Sequence, residues 1–286
     1  MIDLHSHTNN SPDAADTPEA MVLSAIDKGI DVYAITDHCE VNLFFPEGYY
    51  GGRKSAYETF DFGRSFVGSL RDSSMLKEKY ADKIKILRGV ELAGIPFDYG
   101  LADAIVKDKR LDFIIGSTHQ VKGFDDFAFI DYGKERIPEL MQTYFEEVLK
   151  VAKWGKFDVL AHLTYTLRYI EGGDTENKES GWRGAKVDMK PYEEIIREIF
   201  KTLITGGKGI EINTSGLRQK YGKTFPDLYY IKLFREMGGD IITAGSDSHN
   251  VNDIGRGIKE AEELAKAAGF PYFTYFENRK PIRVKI

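Results

Sequence analysis

The sequence predicts an α/β fold in which a parallel sheet closes on itself as a barrel. Three observations carry that expectation. Seven short apolar runs alternate with longer stretches of helical period, as expected for βα units joined by right-handed crossovers. No internal repeat or low-complexity linker interrupts the alternation. All six histidines fall at or near the C-terminal end of one of the seven runs, where barrel enzymes collect functional side chains.

The first strand is IDLHSH (2–7), where Ile2 and Leu4 alternate with polar residues and period two puts His5 and His7 on one face. The others are DVYAITDH (31–38), IKILRGVEL (84–92), LDFIIGSTH (111–119), DVLAHL (158–163), GIEINTS (209–215) and DIITAGSDSH (240–249). Helices are expected over 17–29, around 101–110, and over 134–154, 190–207, 226–239 and 256–269. Thr17 reads as an N-cap with Pro18 in the first turn, and Gly29, Gly206 and Gly269 read as stops. Two long segments, 39–83 and 164–189, are aromatic, glycine-rich and charged; they are expected to be loops or loop-helices over a site. The expectation is a single domain over 1–286 with those two insertions.

Composition narrows the function classes. With 42% hydrophobic residues the 286-residue chain can bury a substantial core. No apolar run reaches the ~18–20 residues of a membrane helix, and a net charge of −6 suggests no nucleic-acid surface. The N-terminal segment MIDLHSHTNNSPD has neither the basic start nor the apolar stretch of a signal peptide. The single cysteine, Cys39, excludes an internal disulfide, which suits a cytoplasmic protein, and it is read as structural.

A lone histidine on an apolar strand is usually a satisfied core residue. Six of them at strand ends, accompanied by Glu91 at the end of ILRGVEL, by Asp247 two residues before His249, and by Asp13 shortly after the first strand, point instead to a shared metal site. Imidazole and carboxylate without thiolate suit zinc, manganese or iron as divalent ions. Six imidazoles and at least three carboxylates exceed what one ion can use, so two or three ions are expected.

The ordered set DLHSHT, ITDH, GVE, GSTH, AHL and GSDSH closely resembles the PHP family (polymerase and histidinol phosphatase), and the resemblance spans residues 1–249. It implies a distorted (β/α)7 barrel holding a trinuclear metal centre. Carried over residue by residue, it implies that His5, His7, Glu91 and Asp247 hold the first metal. Glu91, as a bridge, with His119 and His162 would hold the second, and Asp13, His38 and His249 the third. Some relatives have histidine where this chain has Asp13. Asp3 and Asp37 alternate to the opposite face of their strands and read as supporting residues.

The chemistry expected of such a centre is hydrolysis of a small phosphate ester by in-line attack of metal-bridging hydroxide, with no phosphoenzyme. Glu91 and Asp247 are the expected catalytic carboxylates, and Asp247 is also a candidate acid for the leaving alkoxide. Phosphate calls for arginine, which binds it through paired hydrogen bonds. Arg218, in EINTSGLRQ, is the leading candidate, because that stretch resembles the one in PHP-type histidinol phosphatases whose arginine contacts phosphate. Arg168, in AHLTYTLRY, is second, and Arg53 and Arg183 are weaker. QVKGFDDF after His119 is similar to the stretch that follows the same histidine in those enzymes, so L-histidinol phosphate is the expected substrate. Asp98, Asp125 or Asp126 would recognise its cationic end. The alternatives are a related phosphoesterase acting on nucleotides or other monoesters, an amidohydrolase-like C–N hydrolase, or a non-catalytic metal-binding module. The C–N hydrolase typically needs a lysine at a strand end, which is missing from the predicted strands.

Overall fold

The computed structural model describes residues 1–41, 60–124, 126–133, 137–173 and 186–286. Eight parallel strands make one sheet: β1 (Ile2–Asp3), β2 (Val32–Ile35), β3 (His38–Glu40), β4 (Lys85–Ala93), β5 (Phe113–Gly116), β6 (Val159–Leu160), β7 (Gly209–Asn213) and β8 (Ile242–Gly245). Strands β2 and β3 are two pieces of one stave, broken at Thr36–Asp37, and both pair with β4. Counted as staves, the sheet has the seven expected strands. It closes where the residues after β1 meet β8: Leu4 N donates to the Ala244 carbonyl at 3.0 Å, and Asp247 N donates to the His5 carbonyl at 2.8 Å.

The helices follow local rules. In α1 (Pro18–Asp27) the Thr17 hydroxyl accepts from Ala20 N at 3.3 Å, and Gly29 leaves the helix at φ 72°. The remaining helices are α2 (Phe62–Lys79), α3 (Tyr99–Ile105), α4 (Ile137–Trp154), α5 (Leu167–Ile170), α6 (Glu193–Thr205), α7 (Leu228–Glu236) and α8 (Ile258–Ala267). Helix α2, of 18 residues, occupies the second half of the segment 39–83. Its buried face is Phe62, Ser65, Ser69, Leu70, Ser73 and Leu76, spaced as a helix but half serine, so its hydrophobic period is faint in the sequence. The serines face a polar load, since Ser69 Oγ donates to Asp37 Oδ2 at 2.6 Å.

One element lies outside the expected set. Strands β9 (Tyr272–Glu277) and β10 (Lys280–Lys285) form an antiparallel hairpin whose turn residues Asn278 and Arg279 have φ of 50° and 63°, a two-residue turn matched to strand twist. Strand β9 buries Phe273, Tyr275 and Phe276 in the core, with Phe276 stacked on Phe113 at 5.4 Å. The turn plugs the barrel end opposite the histidines. Asn278 N donates to Asp112 Oδ1 at 3.1 Å and Arg279 Nε to Asp158 Oδ2 at 2.7 Å, just ahead of β5 and β6. Among the described residues no helix is long and apolar enough to cross a membrane.

Candidate metal centre

The nine side chains expected to hold metal come together at the C-terminal mouth of the barrel. Glu91 is the centre of the arrangement, because β4 runs further than its neighbours and places Glu91 in register with His38 on one side and Ile115 on the other. Its two oxygens face different histidines. Oε2 is 3.2 Å from His5 Nε2, 3.5 Å from His7 Nε2 and 3.0 Å from His38 Nδ1. Oε1 is 3.0 Å from His119 Nε2 and 2.8 Å from His162 Nε2. Asp247 Oδ1 completes the first group at 3.3 Å from His7 Nε2 and 3.8 Å from His5 Nε2. Asp13 Oδ2 lies 3.5 Å from His38 Nε2 and 3.2 Å from His249 Nε2. This last group is the more open one: the Asp13 and His249 side chains keep 34% and 26% of their exposure, against 1% for Glu91.

A buried network of histidines and acids could in principle satisfy itself by hydrogen bonds alone. This one does not. His5 Nε2, His7 Nε2, His38 Nδ1 and Glu91 Oε2 are buried and have no hydrogen-bond partner, and each such atom costs about 1–3 kcal/mol when left unsatisfied. They converge at spacings close to the ~3.3 Å that separates donors around a tetrahedral ion with bonds of about 2.0 Å. The donor set therefore fits divalent cations. Among the described residues four groups of three donors lie close enough to share an ion: His5, His7 and Asp247; Glu91, His119 and His162; His7, His38 and His249; and His38, Glu40 and His119. The first two fall within the expected division, whereas the third has His7 where Asp13 was expected, with Asp13 Oδ2 near His38 and His249, and the fourth brings in Glu40.

Electrostatics agree with that reading. Burial works against charge on His5, yet Glu211, Glu91 and Asp247 hold it well above the usual imidazole range. Burial and the neighbouring His38 and His249 push His7 well below it. Burial would raise Glu91, but His119, His5 and His38 hold it well below the carboxylate range. Asp247, opposed by burial, is held down by His5 and His7.

Two carboxylates that the sequence reading passed over support the ligands from behind. Glu211 Oε1 is 2.7 Å from His5 Nδ1, and Glu211 Oε2 accepts from His162 N at 3.1 Å. Glu40 Oε1 is 2.7 Å from His119 Nδ1. Each turns the opposite ring nitrogen toward the cluster and settles the tautomer. Both had a signal: Glu211 is a charge in the middle of the apolar strand GIEINTS, and Glu40 sits one turn of the pleat beyond His38. Gly245, ending β8, is required here, since a Cβ would collide with His5 and with Glu211. Asp3 and Asp37 are not ligands. Asp3 accepts from Ser246 N, Ser246 Oγ and Gly255 N, and Asp37 from Thr8 N, Ser11 Oγ and Ser69 Oγ, so both anchor the loops that carry the donors.

The cluster floors a cavity of about 470 Å³. Arg168 lines it, 3.8 Å from Asp247 Oδ2, with its guanidinium over the Tyr165 ring and its Nε donating to Gln219 Oε1 at 2.9 Å. Arg218 is not on the cavity wall; its guanidinium donates to the carbonyls of Ser246 and Asp247, both at 2.6 Å, and faces Asp253 at 3.4 Å. It follows β7 as expected, and two of its five N–H donors are held by the backbone of the loop after β8. Asp126 lines the cavity, whereas Asp98 is exposed and caps α3 by accepting from Leu101 N at 2.9 Å. Arg53, Arg183 and Asp125 lie outside the described residues.

Comparison with known proteins places this arrangement in a family. The sequence profile of the PHP domain matches residues 3–215. A Thermotoga maritima protein named "Probable histidinol-phosphatase" is 29% identical over 100% of both chains. The Lactococcus lactis protein named "Histidinol-phosphatase" is 26% identical over 98% of this chain and 95% of its own. Among solved structures, a histidinol phosphate phosphatase from Lactococcus lactis complexed with zinc, L-histidinol and phosphate has the same fold, with a TM-score of 0.78, 24% identity and 98% of each chain covered. With a Glu91-centred cluster at the mouth of a seven-stave barrel and a profile match over most of its length, the chain belongs to the PHP domain family.

Proposed function

We propose that this chain is a metal-dependent phosphomonoesterase that hydrolyses L-histidinol phosphate to L-histidinol and phosphate. The observation that carries the hydrolytic reading is the division of Glu91, with Oε2 on a trio of histidines and Oε1 on a separate pair. The substrate follows from the relatives named as histidinol-phosphatases, which match over nearly the whole chain.

His5, His7, Glu91 and Asp247 would hold one cation, Glu91, His119 and His162 a second, and Asp13, His38 and His249 a third. When bound, such ions neutralise phosphate oxygens and lower the pKa of water toward neutrality. The protein's own part is positional. Glu211 and Glu40 fix the rings of His5 and His119. Arg168 presents a guanidinium to the cavity, where it can pair two phosphate oxygens. Tyr165 and Tyr169 share a hydrogen bond between their hydroxyls, and burial, before any other cause, keeps both phenols neutral and able to donate.

The test is phosphate release from L-histidinol phosphate, p-nitrophenyl phosphate and AMP by protein loaded with zinc or manganese, before and after chelation. The expected result is a strong preference for L-histidinol phosphate that disappears with the metal. Equal, slow turnover of all three would overturn the substrate assignment and leave a general phosphoesterase.

A further inference from the structure

A guanidinium can grip a phosphate by either of two edges, Nε with one terminal nitrogen or the two terminal nitrogens together. Which edge Arg168 offers is decided by a residue that follows a different stave. Arg168 lies in α5, after β6, with its guanidinium over the rings of Tyr165 at 5.5 Å and Tyr169 at 6.0 Å. Its Nε donates to Gln219 Oε1 at 2.9 Å, across 51 positions of sequence. Gln219 follows β7 and lines the cavity together with Arg168.

The backbone around Gln219 is held on both sides. Gln219 stands directly after the short helical turn Ser215–Arg218, and its N donates to the Gly216 carbonyl at 3.3 Å. Its own carbonyl accepts from Gly222 N at 3.1 Å. The side chain is therefore aimed at Arg168 by a fixed turn. Arginine only donates, so the amide must present its oxygen, not its nitrogen, to Nε. Two consequences follow. The Nε edge is occupied, which leaves the terminal nitrogens for phosphate. Arg168 Nη2 also stays 3.8 Å from Asp247 Oδ2, beyond hydrogen-bond distance, so the guanidinium is not consumed by a carboxylate that faces the metal cluster. The neutrality of glutamine matters as well. A carboxylate at position 219 would hold Nε equally well, but would cancel the positive charge that a phosphate needs.

We propose that Gln219 is a positioning residue for phosphate binding, which holds Arg168 off Asp247 and turns its terminal edge to the substrate. The proposal rests on the phosphomonoesterase reading of this site. Adjacent residues then divide the work around one carboxylate: Arg218 holds the Asp247 backbone, and Gln219 holds the guanidinium that lies beside the Asp247 side chain.

The experiment is a double-mutant cycle on metal-loaded protein: wild type, Gln219→Met, Arg168→Ala and the two substitutions together. Methionine keeps the length of the side chain and removes the amide acceptor. The readouts are the Kd of inorganic phosphate by calorimetry, kcat and KM for p-nitrophenyl phosphate, and metal content. The expected result for Gln219→Met is phosphate binding weakened roughly 3- to 10-fold, with KM raised in step and metal content unchanged. In the Arg168→Ala background the same substitution should change phosphate binding by less than about twofold. An equal loss in both backgrounds would show that Gln219 acts without Arg168, and a loss of metal would make it a support of the Arg218 turn; either overturns the proposal. Phosphate binding left unchanged by Gln219→Met or by Arg168→Ala overturns it too. If loaded wild type neither binds phosphate nor hydrolyses p-nitrophenyl phosphate, the phosphomonoesterase reading fails first and this assignment goes with it.

Discussion

Arg218 holds Asp247 by its backbone. The guanidinium donates to the Asp247 carbonyl at 2.6 Å, and Asp247 sits at φ 52°, in the left-handed region that non-glycine residues seldom occupy. Such conformations persist where the surroundings over-determine them, and here Asp247 N also donates to the His5 carbonyl at 2.8 Å. Arg218 is by this geometry a positioning residue for a metal-facing carboxylate.

Arg218→Ala is expected to lower metal retention and kcat/KM together, each roughly 10- to 100-fold. Metal content after gel filtration and kinetics on p-nitrophenyl phosphate would be measured on the same samples. A raised KM with full metal content would instead make Arg218 a direct phosphate contact.

Glu211→Gln keeps the shape beside His5 but weakens the partner of its Nδ1. The expected outcome is a metal affinity reduced about 10- to 100-fold in competition with a chelator, with little change in the circular dichroism spectrum. Glu40→Gln should do the same through His119. Unchanged affinity in both would show that the rings are held by packing alone.

Asp112 ties the hairpin turn to α2 and β4 at the far end of the barrel. Burial would raise its pKa, but Arg88, Lys77 and the Asn278 amide lower it to about 2. The folded value is below the unfolded ~3.9, so the stabilisation is fully present above about pH 4 and is lost as pH falls from about 4 toward 2; it amounts to about 2 kcal/mol. Asp112→Asn should therefore lose about that much in denaturant melts at pH 7, and the gap from wild type should narrow below pH 3. A gap independent of pH would refute the ion-pair account.

Cys39 is 4% exposed, and burial pushes its thiol up to about 12. A thiol-specific chromogenic reagent should find no reactive thiol in native protein and one in denaturant. Rapid native labelling would show that β3 opens.

Much of the site was legible because ligand spacing is a local property. His5 and His7 two apart, and Asp247 and His249 two apart, each declare a shared face through the period of extended chain. What was illegible has local causes too. Helix α2 was obscured because its inward face is half serine, with Ser69 bonded to Asp37 and Ser65 and Ser73 to the carbonyls of Asn10 and Leu70. Glu40 and Glu211 were passed over because a carboxylate behind a histidine resembles, in sequence, any other acid.

The sequence by itself determined the seven-stave barrel and the mouth as the place of chemistry, since alternation and strand-end position depend only on neighbours along the chain. Tertiary structure alone decided the pairings. Closure of β1 on β8 brings His5 to Glu211 across 206 residues. The extra length of β4 lets Glu91 face three histidines with one oxygen and two with the other. The loop after β8 takes up Arg218 and leaves Arg168 to face the cavity. Those contacts depend on sheet register and closure, which no local period encodes.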